Sequence, residues 1–173
     1  MTYSRDLLMA FREAGIGAKY DKYNLSSIPD AQMVKQWVQE QMEYDLESGQ
    51  SIWVTGDDEL SCVVSHCIAK SAVARDFRVR VMTILDLLRE LDEDDTDLFD
   101  IDLLVLIDFD DPHYEANPHD AKTQHSLEDT LMRRLRLERS ILFHLSAEPT
   151  WWSPRLMNEV SKGVKLRALG SVE

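Results

Sequence analysis

The stretch SIWVTG at residues 51–56 is a short run of β-branched and aromatic residues that ends in a glycine. Such a run is typical of a buried strand that ends in a turn. The following stretch, DDELSCVVSHCIAKSAVA at residues 57–74, has apolar residues at helical spacing and predicts a helix from about residue 61 to residue 74. Strand, turn and helix together predict a unit whose turn lies at the carboxyl end of the strand.

Similar units follow along the chain. Four further apolar runs predict strands at residues 79–82, 103–107, 141–145 and 164–169. Helices are predicted at residues 5–14, 29–46, 84–91, 126–138 and 154–160. The alternation predicts an α/β fold, namely a three-layer αβα sandwich around a parallel five-stranded sheet. We expect residues 1–28 to form an N-terminal helix and an irregular lead-in, and residues 29–173 to form the αβα domain.

Composition limits the compartment and the class of protein. The chain has 173 residues, of which 44% are hydrophobic, and this matches a globular domain with its own core. It contains no apolar run of about 18 residues, and charges interrupt its first apolar stretch, so neither a membrane span nor a signal peptide is expected. Cys62 and Cys67 lie five residues apart within one predicted helix and predict no disulfide. A cytoplasmic protein with reduced thiols fits these features.

The charge of the chain favours a protein partner. The formal net charge of −13 would repel a nucleic-acid backbone, so direct binding of nucleic acid is not expected. Four arginines, Arg133, Arg134, Arg136 and Arg139, form a local basic stretch, whereas residues 92–97 are acidic. Another protein, or a second copy of this chain in an oligomer, could use either surface.

Several segments stand in the order and spacing of a P-loop ATPase, and they resemble the AAA+ domain of DnaC/IstB-type helicase loaders and transposon accessory ATPases. The resemblance is carried by residues 15–20 with 24–25, 56–63, 102–110, 139–146, 153–157 and 164–169. It implies a P-loop fold, side-by-side assembly, and as partner a replicative helicase, a helicase loader or the chain itself. We do not recognise the loaders' N-terminal helicase-binding domain or a lid domain, and we therefore do not expect direct helicase loading.

The segment in the place of the phosphate loop departs from the loader pattern. The pattern G-x-x-x-x-G-K-[ST] lets backbone N–H groups and a lysine hold phosphates while a hydroxyl binds magnesium. Here Gly56 is kept, but Ser61, Cys62 and Val63 replace the second glycine, the lysine and the hydroxyl residue. The remaining positions carry three carboxylates, Asp57, Asp58 and Glu59. Each carboxylate would cost roughly 1 kcal/mol beside a phosphate about 4 Å away even in water, so we expect no bound ATP and no other cofactor.

Hydrolysis is not expected either. In an active ATPase of this type, the first acidic residue after the third strand holds magnesium and the next one orients the attacking water. Asp108 matches the first position, but Phe109 occupies the second. Ser146 matches the polar sensor at the end of the fourth strand, although a serine there is equally typical of a helix cap. The resemblance therefore implies a pseudoenzyme with no catalytic residue.

Other chemistry is less favoured by the spacing. Asp110, Asp111, His113, His119 and His125 gather carboxylates and imidazoles that metals bind, but they match no closed site, so a polar loop is the favoured interpretation. Cys62 and His66 have helical spacing, but no oxyanion loop accompanies them, and packing of the cysteine in the core is favoured.

The candidate partner-binding side chains are aromatic and basic. Trp151 and Trp152 could anchor a partner, or at least one could cover the edge of the core. Arg133 belongs to the basic stretch that a partner could use. The resemblance implies that Arg136, Arg139 and Arg155 could reach a neighbouring subunit, although a surface salt bridge is the favoured role.

The leading functional hypothesis is a non-catalytic, loader-like adaptor or regulator in DNA replication or mobile-element maintenance. One alternative is an active ATPase with a non-standard site that uses Asp108 and the loop around Asp111 and His113. The other alternative is an acidic mimic of DNA that inhibits a DNA-binding protein.

Overall fold

The structure is a computed structural model that describes residues 3–29, 31–92, 97–108, 121–145 and 152–168. Its centre is a five-stranded parallel sheet with the spatial order β2-β3-β4-β1-β5. The strands are β1 Ser51–Gly56, β2 Val79–Thr83, β3 Leu103–Ile107, β4 Ser140–Leu145 and β5 Val164–Ala168. All five predicted strands are confirmed, and β1 lies between β4 and β5.

Helices cover both faces of the sheet. They are α1 Arg5–Glu13, α2 Gln32–Glu40, α3 Met42–Glu47, α4 Asp58–Val73, α5 Ile84–Asp92, α6 Ala121–Arg136 and α7 Pro154–Val160. Short 3₁₀ turns occur at Ala18–Tyr20, Leu25–Ser27 and Asp97–Phe99. No described helix is long and apolar enough to cross a membrane.

Two hydrophobic clusters form the core, one on each face of the sheet. On one face, α1 to α4 pack against strand residues that include Ile52 and Val105. On the other face, α5 to α7 pack against strand residues that include Trp53 and Phe143. Successive residues of a strand point to opposite faces, which is why neighbours such as Ile52 and Trp53 enter different clusters. The predicted three-layer αβα sandwich is therefore confirmed.

The single helix predicted at residues 29–46 is wrong in its start and in its continuity, because the structure has two helices there. The helical conformation begins at Gln32 rather than at Pro29, and the backbone at Gln41 has φ −130° and ψ −24°, which separates α2 from α3. Across this break the Trp37 indole N–H donates to Asp45 Oδ2 at 2.7 Å. Because Asp45 is buried, this hydrogen bond compensates for removing its carboxylate from water, a requirement that apolar spacing does not show.

The predicted basic stretch is also divided by the fold. Arg134 is fully buried rather than part of a surface, and its guanidinium donates to the carbonyl oxygens of Leu98, Ile101 and Ser140. Arg139 is partly buried and bonds Asp102 Oδ1 at 2.7 Å. Arg139 precedes β4, and it therefore lies at the amino edge of the sheet, opposite the edge that carries the candidate site.

Candidate functional site

The loop after β1 places a carboxylate, that of Asp57, at the N-terminus of α4. Asp57 is the N-cap residue, and its Oδ1 accepts a hydrogen bond from the Leu60 N–H at 3.2 Å. Backbone N–H groups at a helix N-terminus bind anions, and in a phosphate loop a phosphate would occupy this place. Here the carboxylate of Asp57 accepts from one of these groups, the N–H of Leu60.

Gly56 is explained by packing against β5. Its φ is +142°, a conformation that side chains rarely adopt, and a Cβ at this position would lie 2.1 Å from the carbonyl oxygen of Ala168. The neighbouring strand therefore requires this glycine whether or not a phosphate binds.

The centre of the site is His144, which is fully buried near the end of β4. Its Nε2 lies 2.9 Å from Ser61 Oγ, and its Nδ1 accepts from the backbone N–H of Asp108 at 3.1 Å. Ser61 Oγ in turn donates to the carbonyl oxygen of Asp57 at 2.7 Å. Since Nδ1 accepts in this arrangement, Nε2 carries the proton and donates to Ser61. This chain of hydrogen bonds ties the ends of β3 and β4 to the start of α4.

Two carboxylates flank the imidazole. Asp108 Oδ1 lies 3.3 Å from Nδ1, and Asp58 Oδ1 lies 3.7 Å from Nε2. The close approach of His144 is the main reason that the pKa of Asp108 is lowered, so its carboxylate stays ionised. Asp108 also has a φ of +53°, in the left-handed region, and its backbone N–H donates to the ring.

A cleft of about 730 Å³ opens next to this cluster, between α4, the ends of β2 and β3, and the lead-in segment. On its wall the ring of Tyr20 stacks on His66, with centroids 3.6 Å apart and an interplanar angle of 13°. The Tyr20 hydroxyl lies 3.4 Å from Cys62 Sγ. Cys62 is partly buried and packs against the core cluster that α1 to α4 form, so the prediction that it packs in the core is confirmed in part.

Burial shifts the pKa values of two side chains on this wall, His66 and Cys62. It lowers the pKa of His66 to about 4, so the ring is neutral near pH 7. Burial also raises the pKa of the Cys62 thiol, which favours the protonated thiol near pH 7. Cys62 Sγ lies 3.8 Å from His66 Nδ1, and both side chains contact Tyr20, so together they join the lead-in segment to α4.

The structure brings together most of the predicted loop residues. Ser61 and Val63 are buried, whereas Asp58 and Glu59 are exposed. Phe109 and Ser146 lie outside the described residues, as do Trp151 and the predicted metal-loop residues Asp110, Asp111, His113 and His119.

The candidate partner-binding residues do not form one surface. Trp152 is buried against Trp53 and Phe143, so it belongs to the core and its predicted role as an exposed anchor is wrong. Its ring fills the end of the cluster on that face, as the alternative prediction had it.

The arginines differ in their exposure and contacts. Arg133 lies over the Phe99 ring at 4.3 Å, and Arg155 lies 3.9 Å from Asp129. Both side chains are exposed, as is that of Arg136. Of the arginines proposed to contact a partner, these three present their side chains to solvent.

Sequence reasoning missed the residue at the centre of the site. His144 is a polar residue inside the apolar run ILFHL, a run that predicts a buried strand and no site residue. Such a residue must find polar partners when it is buried, and this requirement was the available signal. Its register opposite Val54 brings it beside the loop that follows β1.

The chain has the fold of AAA+ domains in solved replication proteins. It superposes on a DnaC helicase loader with a TM-score of 0.62 and 12% identity, covering 88% of this chain and 100% of that one. A DnaI structure has a TM-score of 0.59 and 14% identity over 90% of this chain and 92% of that one. The AMPPCP-bound DnaA from Aquifex aeolicus has a TM-score of 0.65 and 19% identity over 85% of this chain and 50% of that one.

The likeness is one of fold. The chain spans about half the length of the DnaA structure it matches, and every identity given is below 20%. No protein-family model and no curated relative matches the sequence.

Proposed function

We propose that this chain, which has the AAA+ fold of helicase loaders and replication initiators, is a non-catalytic, loader-like adaptor or regulator in DNA replication or mobile-element maintenance. One observation carries the proposal: the Asp57 carboxylate occupies the helix N-terminus where a phosphate would bind. Asp58 and Glu59 add charge at the same place, and Cys62 stands where the loop lysine would be. The carboxylates would repel a triphosphate, and the lysine that would otherwise neutralise its charge is missing.

The hydrogen bonds behind the loop support the same conclusion. In an active loop, the residue at position 63 supplies a hydroxyl to the metal, and here it is the buried Val63. The hydroxyl of Ser61 is directed away from the loop mouth, because it bonds Asp57 and His144. These contacts stabilise the loop without a nucleotide.

We expect no saturable ATP binding at up to about 1 mM, which corresponds to a binding free energy weaker than about −4 kcal/mol. Calorimetry with Mg-ATP measures this directly, and a DnaC-type loader in the same buffer is the positive control. Asp57→Asn keeps a side-chain cap on α4 while removing one charge, so the helix stays formed. Micromolar ATP binding by the unaltered chain would contradict the proposal.

The same proposal predicts a nucleotide-independent partner. We expect the chain to form a complex with a bacterial replicative helicase, with the same affinity in the presence and absence of ATP. Sedimentation velocity on the two purified proteins measures the complex. Arg136→Glu reverses an exposed charge on α6 and should weaken the complex several-fold at low salt, whereas Arg5→Glu on α1 is the matched control. A complex that forms only with ATP would sink the adaptor role.

A further inference from the structure

We propose that Asp58, Asp108 and His144 bind a divalent first-row metal ion such as Mn²⁺ without any nucleotide. One carboxylate oxygen from each aspartate and one ring nitrogen of the histidine lie within 4.8 Å of one another. All three protein ligands of this metal site come from this chain. The proposal goes beyond the adaptor function, because the metal ion would bind whether or not the chain binds ATP.

The buried imidazole is oriented for such a role. Ser61 Oγ lies 2.9 Å from Nε2 and accepts the hydrogen bond of the Nε2–H group, so the ring lone pair is on Nδ1. That nitrogen faces Asp108, whose Oδ1 is 3.3 Å away. A hydrogen bond to the far nitrogen of a histidine ligand fixes its tautomer and ring orientation, and Ser61 supplies that bond here. The cost of binding is the hydrogen bond that Nδ1 accepts from the Asp108 N–H.

The carboxylates supply the charge and the freedom to adjust. The side chains of Asp58 and Asp108 are 73% and 54% exposed, so they can change rotamer while His144 stays fixed at 0% exposure. Ligands about 2.1 Å from one ion lie roughly 3–4 Å apart, and small rotations bring the three groups to that spacing. Two ionised carboxylates neutralise a divalent cation, and a set of two carboxylates and one imidazole suits Mn²⁺.

The cluster also has a physical need that a cation meets. Asp58, in the first turn of α4, and Asp108 have carboxylate oxygens that lie within 4.8 Å of one another. Like charges gathered at this separation repel one another. Within the described residues, Lys19 and Lys22 are the basic side chains that line the adjoining cleft, and each lies over a tyrosine ring, at 4.9 Å and 4.8 Å. An ion between the carboxylates relieves the repulsion at its source.

Titration of the full chain with Mn²⁺ tests the site, with free Mn²⁺ counted by electron paramagnetic resonance. We expect one saturable site, and we expect Asp58→Asn and Asp108→Asn each to weaken it on the order of tenfold or more. Asparagine tolerates the left-handed backbone at Asp108, so this variant should fold. Glu59→Gln removes a neighbouring exposed carboxylate and should leave the affinity within about twofold, since that residue is outside the cluster.

A second pair of variants separates this site from the carboxylates and histidines of residues 110–125, which the sequence presents as possible metal ligands. Asp111→Asn should leave Mn²⁺ binding unchanged, whereas His144→Gln should weaken it in any sample whose circular dichroism shows a folded chain. Absence of saturable binding by the unaltered chain overturns the proposal. So does equal binding by Asp58→Asn and the unaltered chain, or a loss confined to Asp111→Asn. Because none of these titrations contains ATP, their outcome is independent of the test of nucleotide binding.

Discussion

Arg134→Met should lower the free energy of unfolding by about 3 kcal/mol or more. The Arg134 guanidinium is fully buried and donates to the carbonyl oxygens of Leu98, Ile101 and Ser140. Burial also lowers the pKa of Arg134 to about 10, which still leaves it charged at neutral pH. Methionine has a similar shape without donors, so the three carbonyl groups lose their partner and remain buried.

Urea unfolding followed by tryptophan fluorescence measures this loss. The matched control is Arg136→Met, which removes an exposed guanidinium two residues later on the same helix. We expect the control to change the free energy of unfolding by no more than about 0.5 kcal/mol. Equal effects for the two variants would show that the Arg134 hydrogen bonds do not hold the start of β3 to α6.

The strands could be predicted because parallel strands buried on both faces give continuous apolar runs. LLVLI at residues 103–107 is fully enclosed between the helical layers, and its five side chains are all buried. Helix caps are also local, since Asp57, Thr83 and Ser153 each accept from a backbone N–H three residues later, although α4 begins at Asp58 and not near residue 61 as predicted. Features decided by a residue and its near neighbours could be read from the sequence.

Arg134 shows where linear charge patterns mislead. Four arginines within seven residues indicated a basic surface, yet Arg134 follows the buried Leu127 and Leu131 at positions i+7 and i+3. Those positions share one face of a helix, so the spacing carried the signal for burial. What the sequence could not show was that three carbonyl groups from other segments surround that position.

The candidate site depends on contacts between distant segments. His144 meets Ser61 and Asp108, which lie 83 and 36 residues away along the chain. Those contacts exist because β4 lies between β1 and β3, an order that the alternation of strands and helices did not determine. Tyr20 reaches His66 for the same kind of reason, since the lead-in crosses the face of α4. The sequence therefore allowed a role to be proposed for the residues of the loop after β1, but not for His144, which contacts that loop from β4.

The neutral His66 should make the fold sensitive to acid. Its pKa is about 4 in the folded chain, against an ordinary value of 6.5, mainly because burial disfavours the charged ring. Between these values the unfolded chain binds a proton that the folded chain does not, so stability falls as the pH is lowered. When the pH is lowered from about 7.5 to about 5, we expect the titration of His66 to reduce the free energy of unfolding by about 2 kcal/mol. The stabilisation is complete above about pH 6.5 and is lost progressively down to about pH 4.

His66→Phe isolates this contribution, because phenylalanine keeps an aromatic ring against Tyr20 but does not titrate. We expect urea unfolding of this variant to lose about 2 kcal/mol less than the unaltered chain between those two pH values. His125→Gln removes an exposed imidazole on α6 and should keep the wild-type dependence on pH. Carboxylates such as Asp108 titrate in all three proteins, so the comparison rests on differences between them. An equal loss of stability by His66→Phe and the unaltered chain between those two pH values would contradict this prediction. It would mean that the folded chain also binds a proton at His66 near pH 5.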